Sequence, residues 1–196
     1  MAKPEIAKTE IAKTEIAKTE TRMTRISVIR CAVAVLLGLT SAPALAQTVE
    51  RIEIVKHGIY AGPSGEAIAS PGTVAGVERQ LAETKLIETT RTIPARAGLR
   101  FGIEYRIVGE PAGGIISLKR TTIYPEGGVR NPSTGKTAMR DEAVEPHEVD
   151  AVNYSGFRFD DPWEMVPGTW TIELSYGGKT LASESFTVTN DAAKPQ

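Results

Sequence analysis

Cysteine and histidine are nearly absent from this sequence. The 196 residues contain one cysteine, Cys31, and two histidines, His57 and His147. Because Cys31 lies in an N-terminal apolar run, residues 47–196 have no thiol. This excludes thiolate zinc sites, iron–sulfur clusters, c-type haem attachment and a cysteine nucleophile from that part of the chain. A segment without cysteine also cannot form wrong disulfides in an oxidising compartment.

An excess of charge of one sign is missing as well. The chain has 23 basic and 24 acidic residues. Residues 1–46 hold seven basic and four acidic ones, so residues 47–196 carry 16 basic and 20 acidic side chains, a net charge of −4. Nucleic acids and anionic membranes select clustered basic side chains. The mixed charges therefore predict no nucleic-acid partner.

The longest apolar run, Cys31 to Leu39, is too short to cross a bilayer, which needs roughly 20 residues. It follows Arg25 and Arg30 and precedes helix-breaking residues and the triplet Ala44-Leu45-Ala46. This order is typical of a cleavable signal peptide. We predict a signal peptide over residues 23–46, with the cut between Ala46 and Gln47. The mature protein would be periplasmic or secreted, with no membrane contact after cleavage.

Residues 1–22 form a low-complexity leader. The pentad Glu-Ile-Ala-Lys-Thr occurs three times from Glu5 to Thr19. A period of five keeps no apolar side chains on one helix face. We therefore predict that the leader is disordered, or is not translated if synthesis starts at Met23.

The rest of the sequence alternates apolar and polar residues with a period of two, which is typical of β-strands. The predicted strands are residues 49–56, 84–93, 101–108, 115–124 and 149–159, and a final hairpin of residues 169–176 and 179–189 around Gly177-Gly178. Residues 58–76 and 125–145 are predicted loops, residues 77–86 either helical or the start of a strand, and residues 190–196 a polar tail. About seven strands without a long helix indicate an all-β fold, a single antiparallel β-sandwich over residues 47–189.

Two stretches carry a family resemblance: Phe101-Gly102-Ile103-Glu104-Tyr105, and Val166-Pro167-Gly168-Thr169-Trp170 with Phe186-Thr187-Val188. Over roughly residues 50–188, the chain resembles a bacterial family of exported domains of unknown function. It is also similar to immunoglobulin-like modules that end in a P-G-x-W strand, a glycine turn and an F-x-V strand. The resemblance implies an immunoglobulin-like sandwich and assigns no functional residues.

Three groups of residues are candidate sites. The acidic segment 141–150 offers metal ligands in Asp141, Glu145, His147 and Glu148, although its spacing matches no calcium or zinc motif and also fits a solvated loop. Aromatic residues at Tyr124, Tyr154 and Trp163 could bind a ligand on an exposed platform or simply cover the ends of the sandwich. The pair Asp160-Asp161 fits either acid–base chemistry or an ordinary turn.

No catalytic, nucleotide or metal motif emerges from these residues. We therefore predict a non-catalytic binding or structural module without a cofactor, with a protein or a glycan as partner. Two alternatives stay open, a carbohydrate-binding module and a carboxylate-dependent hydrolase. The sequence does not indicate the oligomeric state.

The signal-peptide prediction can be tested by mass spectrometry. Expressed in an exporting bacterium, the protein should be recovered outside the cytoplasm with the mass of a chain that begins at Gln47, because A-x-A sites are cut after the second alanine. Ala46→Arg should block cleavage, whereas Leu45→Gln, at the unrestricted middle position, should be cut normally. A mature chain that retains residues before Gln47 would contradict the prediction.

Overall fold

The structure, a computed structural model, describes residues 47–79 and 83–190. These residues form thirteen strands and one 3₁₀-helical turn, Pro162–Glu164. The strands are β1 Thr48–Ala61, β2 Ala67–Ala69, β3 Val77–Arg79, β4 Lys85–Glu88, β5 Thr92–Ala95, β6 Arg100–Glu110, β7 Ile115–Ile123, β8 Val129–Arg130, β9 Thr137–Ala138, β10 Arg140–Glu148, β11 Val152–Arg158, β12 Gly168–Tyr176 and β13 Lys179–Asn190. In this part of the chain, no helix is long and apolar enough to span a membrane.

Nine of the strands build two main sheets. The four-stranded sheet has the order β11-β6-β1-β4, and the five-stranded sheet has the order β10-β7-β12-β13-β5. Neighbouring strands are antiparallel except β5 and β13, which run parallel with Thr92 opposite Thr187. Two small hairpins, β2–β3 and β8–β9, are added outside these sheets. The all-β class is confirmed, with more strands than the seven predicted.

Aromatic side chains join the two sheets face to face. Phe101 of β6 packs against Trp170 of β12 and Phe186 of β13, with ring centroids 5.9 and 5.2 Å apart. On β6, every second side chain from Phe101 to Ile107 is fully buried, while Arg106 between them is exposed. This is the alternation expected of a strand with one face in the core.

The final hairpin is confirmed. β12 and β13 pair from Gly168 with Val188 to Tyr176 with Lys179. Gly177 and Gly178 have φ angles of 57° and 80°. Two consecutive positive φ angles suit the right-handed twist of a two-residue hairpin and strongly favour glycine.

Two predicted loops are wrong. The segment 58–76 contains the end of β1 and all of β2, and the segment 125–145 contains β8, β9 and most of β10. β10 escaped prediction because the side chains on its buried face include Asp141, Glu145 and His147, so no apolar alternation marks it. The described residues of segment 77–86 hold β3 and the start of β4, so the helical alternative is wrong for them.

Other predictions lie outside the described residues. These are the leader over residues 1–22, the signal peptide over residues 23–46 and the tail from residue 191 onward. Within the described range, β1 begins at Thr48 and β13 ends at Asn190.

Truncation of a core side chain should destabilise the protein much more than truncation of an exposed one. Trp170→Ala should lower the free energy of unfolding by about 3–5 kcal/mol, because it removes a fully buried indole that contacts rings of both sheets. Ile87→Ala, at an exposed position of β4, should change it by less than about 0.5 kcal/mol. Urea unfolding followed by tryptophan or far-ultraviolet signals measures both, and equal effects would show that Trp170 does not organise the core.

Candidate binding cleft

A cleft of about 920 Å³ opens where the two sheets end side by side. Its walls are β10 and β11, which are edge strands of the five-stranded and the four-stranded sheet. The β2–β3 hairpin and the segment that joins its strands line the cleft from a third side. Clefts of several hundred Å³ are typical of ligand-binding sites.

A buried carboxylate holds the β2–β3 hairpin in place. Both oxygens of Asp141 accept hydrogen bonds from the backbone N–H of Val74, at 2.9 and 2.8 Å, and Oδ2 also accepts one from the Tyr124 hydroxyl at 2.6 Å. The side-chain amide of Asn131 donates to the Val74 carbonyl at 3.1 Å. Burial, and next the charge of Asp141, raises the pKa of Tyr124, so its hydroxyl stays a donor. Asp141 therefore acts as an anchor for the cleft.

The β10 wall carries a paired network of charges. Nη2 of Arg120 lies 3.2 Å from Oε1 of Glu145 and also donates to Glu78 of the hairpin. Nε2 of His147 lies 3.5 Å from Oε2 of Glu145, and its Nδ1 is hydrogen-bonded to the Tyr105 hydroxyl at 3.1 Å. Burial opposes ionisation of Glu145, but the hydrogen bond to His147 and the neighbouring Arg120 outweigh it and lower its pKa to about 2. These groups satisfy one another.

The predicted metal ligands are not assembled into a metal site. Asp141, Glu145 and His147 lie on one face of β10. Glu148 directly follows His147, so its side chain lies on the other face. Asp141 is occupied by Val74 and Tyr124, whereas Glu145 is occupied by Arg120. Over residues 47–79 and 83–190, no group of three His, Cys, Asp or Glu residues is placed to hold a metal ion.

The predicted aromatic platform is wrong for Tyr124, which is buried in the core beside Trp170 with ring centroids 4.8 Å apart. Tyr154 lies on β11, where a Cβ at Gly102 or Gly156 would collide with its hydroxyl. That hydroxyl donates to the Phe101 carbonyl at 3.2 Å. Trp163 is half-buried against the core. The three rings therefore serve packing, and only Tyr154 lines the cleft.

Asp160 and Asp161 stand at the start of the 3₁₀ turn. The buried Glu164 carboxylate accepts hydrogen bonds from their backbone N–H groups at 2.6 and 3.0 Å. The Asp160 carboxylate lies 3.3 Å from Nε of Arg79 and 3.2 Å from Nη1 of Arg158. This arrangement links the end of β11 to the end of β3.

Two features of the cleft were missed by the sequence analysis. Arg100 and Ser155 line it as buried polar residues with side-chain atoms that lack a hydrogen-bond partner among the described residues. Four exposed aliphatic side chains form its apolar rim: Ile68, Val77, Val144 and Val152. No pattern marks either set, because arginine in a polar strand position and valine on an edge strand are both ordinary.

Comparisons with known proteins agree with the fold. Residues 48–188 match the family model described as "Domain of unknown function (DUF3859)". The chain is similar to an immunoglobulin-like protein from Pseudomonas aeruginosa, with a TM-score of 0.50 and 22% identity over 72% of this chain and 99% of that one. Likeness at this identity shows the immunoglobulin-like fold alone. No curated protein matches the chain.

The lowered pKa of Glu145 predicts that the protein loses stability in acid. Its pKa is about 2 in the folded protein and near 4.5 when unperturbed, so its ionised contacts stabilise the fold fully above pH 4.5 and are lost as the pH falls towards 2. Glu145→Gln should therefore lower the unfolding free energy by about 1 kcal/mol at neutral pH, since solvent screens its partly exposed side chain. The dependence of the unfolding free energy on pH in this window should also become flatter.

Glu142→Gln is the matched control, since Glu142 lies on the exposed face of β10 and its carboxylate forms an ion pair with the exposed Lys119 at 3.3 Å. Urea unfolding at several pH values compares the two variants. An unchanged acid dependence in Glu145→Gln would show that Glu145 is not the group that titrates.

Proposed function

This chain belongs to the DUF3859 family of domains of unknown function and has an immunoglobulin-like fold, and we propose that it is a non-catalytic binding module. Its cleft would bind an extended segment of a partner protein. The predicted signal peptide supports a place of action in the periplasm or outside the cell. The rim of the cleft is the observation on which the proposal depends.

The rim collects exposed apolar surface. Its four members are 41, 48, 67 and 53% exposed, in the order Ile68, Val77, Val144 and Val152. The described residues include eight large apolar side chains with this degree of exposure, so half of them lie around one cleft. Exposed apolar side chains scattered singly need no explanation, whereas a group around a concave surface is typical of a binding site.

The walls favour an extended polypeptide as the occupant. Both β10 and β11 are edge strands, so each has a neighbouring strand on one side only. An extended segment can hydrogen-bond to such edges while its alternate side chains contact the apolar rim. Pro146 and the charged residues of β10 discourage pairing with another copy of the same strand.

The two alternative functions have less support. A carbohydrate-binding module needs flat, exposed rings, but Tyr124 is in the core and Trp163 packs against it. A carboxylate-dependent hydrolase needs free acidic groups, but Asp160 pairs with two arginines and Glu145 with another. Aliphatic rims and paired carboxylates both suit a protein ligand better.

A peptide-display selection tests the proposal. A library of random peptides presented to the immobilised protein should yield sequences that bind, and Val144→Asp should weaken their binding about tenfold or more, because it places a charge on the apolar rim. Ile87→Asp is the matched control: an exposed aliphatic position on an edge strand, β4, that does not line the cleft. It should leave the affinity unchanged.

Titration by calorimetry or fluorescence anisotropy measures the affinity of a selected peptide for the wild type and for both variants. Equal weakening by Val144→Asp and Ile87→Asp would place the peptides elsewhere on the surface. A selection that enriches no binding sequence would count against a peptide ligand altogether.

A further inference from the structure

Arg100 is a buried arginine whose guanidinium has unpartnered N–H groups in the described part of the chain. Its side chain is 4% exposed and lines the cleft, yet its Nε and Nη1 atoms have no hydrogen-bond partner among the described residues. A guanidinium keeps its charge in proteins, and a buried, unpaired charge is costly. Buried polar groups without partners are uncommon enough that each asks for an explanation, and an absent ligand is one of them.

The surroundings of Arg100 are rich in positive charge. In the four-stranded sheet, Arg100 of β6 is paired with Arg158 of β11 and with Tyr60 of β1. Arg79 and Arg158 share the carboxylate of Asp160. The carboxylates of Asp160, Asp161 and Glu164 line the same end of the cleft. Asp160 forms its ion pairs with Arg79 and Arg158, and Arg100 has no ion pair among the described residues.

Burial is the main reason why the pKa of Arg100 is lowered, and the charge of Arg158 lowers it further, while Tyr154 and Asp160 act in the opposite direction. Glu145 of β10 and Glu78 of β3 are paired with Arg120 instead. Arg100 is therefore the arginine of the cleft for which the described residues provide no carboxylate within ion-pair distance.

A second buried polar group also lines the cleft. Ser155 is 3% exposed, lines the cleft and has a hydroxyl without a hydrogen-bond partner in the described part of the chain. Ser155 is opposite Ile103 in the pairing of β11 with β6, so its side chain lies on the core face of the sheet, whereas Arg100 is opposite Arg158 on the other face. The two groups therefore line the cleft from different faces of the sheet, and only Arg100 carries the proposal below.

We propose that Arg100 binds a carboxylate of the peptide segment that occupies the cleft, through the paired N–H groups of its guanidinium. The planar fork of arginine matches two carboxylate oxygens. A carboxylate is also the anion that an unmodified peptide carries, either on an Asp or Glu side chain or at its C-terminus. This inference rests on the proposed peptide-binding function and names the chemical group that the ligand must contain.

Small anions test the site without any peptide. Sodium acetate, exchanged for chloride at constant ionic strength, should raise the melting temperature of the wild-type protein in proportion to its occupancy of the site. Arg100→Met should abolish this rise, and Arg100→Lys, which keeps the charge but loses the fork, should reduce it. The control is Arg106→Gln, an exposed arginine of the same strand, which should behave like the wild type.

The melting temperature without acetate gives a readout that a purely structural arginine would not give. Arg100→Met removes an uncompensated buried charge and should leave the stability equal or higher. A large loss of stability in Arg100→Met would mean that the fold itself depends on Arg100. An acetate effect that persists in Arg100→Met, or a wild-type protein that responds to inorganic phosphate and not to acetate, would overturn the proposal.

Selected peptides identify the source of the carboxylate. For a peptide from the display selection, Arg100→Met should weaken binding about tenfold or more, as truncation of one member of a buried ion pair does. Amidation of the C-terminus and Glu→Gln or Asp→Asn changes in the peptide then show which carboxylate is bound. Peptides that bind wild type and Arg100→Met equally, but are weakened by Val144→Asp, would refute the role of Arg100 and leave the peptide-binding function intact.

Discussion

The packing of Trp170 between the two sheets is the contact on which the rest of the structure depends. Its ring packs against Phe101 of β6, Phe157 of β11 and Phe159, which directly follows β11. It also packs against Tyr124, which directly follows β7. The described residues contain no cysteine, so this aromatic cluster has the role that a disulfide has in many sandwiches of this kind. It also orients Tyr124, whose hydroxyl reaches Asp141, which in turn holds Val74. The shape of the cleft is thus connected to the core through three residues.

The two walls of the cleft differ in how their polar groups are satisfied. On β10, Arg120, Glu145 and His147 form a closed network, and such networks make a structure rigid at little net gain in stability. Near the other wall, Arg100 of β6 and Ser155 of β11 are buried and have side-chain donors without a partner among the described residues. The first arrangement is understandable as part of the fold. The second is costly to the isolated molecule and becomes favourable when a ligand supplies the missing acceptors.

The exposed aliphatic side chains of the rim are likewise unfavourable without a ligand. Val144 and Val152 lie on strands that end their sheets, where an exposed apolar side chain invites association. Pro146 and the acidic residues of β10 lie beside them and oppose pairing with an identical strand. An edge strand that has free backbone groups but does not pair with an identical strand suits a partner of different sequence. Such a partner segment would be extended and would alternate apolar side chains with a carboxylate.

The sequence by itself determined the all-β class, the final hairpin and the core positions from Phe101 to Ile107 and from Trp170 to Leu174, since a period of two and a Gly-Gly turn depend on local geometry alone. It could not reveal β10, because Asp141 and His147 occupy its buried face and their partners, Val74 and Tyr105, come from distant segments. Only the tertiary structure decided that Tyr124 lies in the core and that Arg100 is buried with Nε and Nη1 unpartnered among the described residues. Those properties depend on which strands end side by side, and long-range pairing leaves no mark in the spacing of residues along the chain.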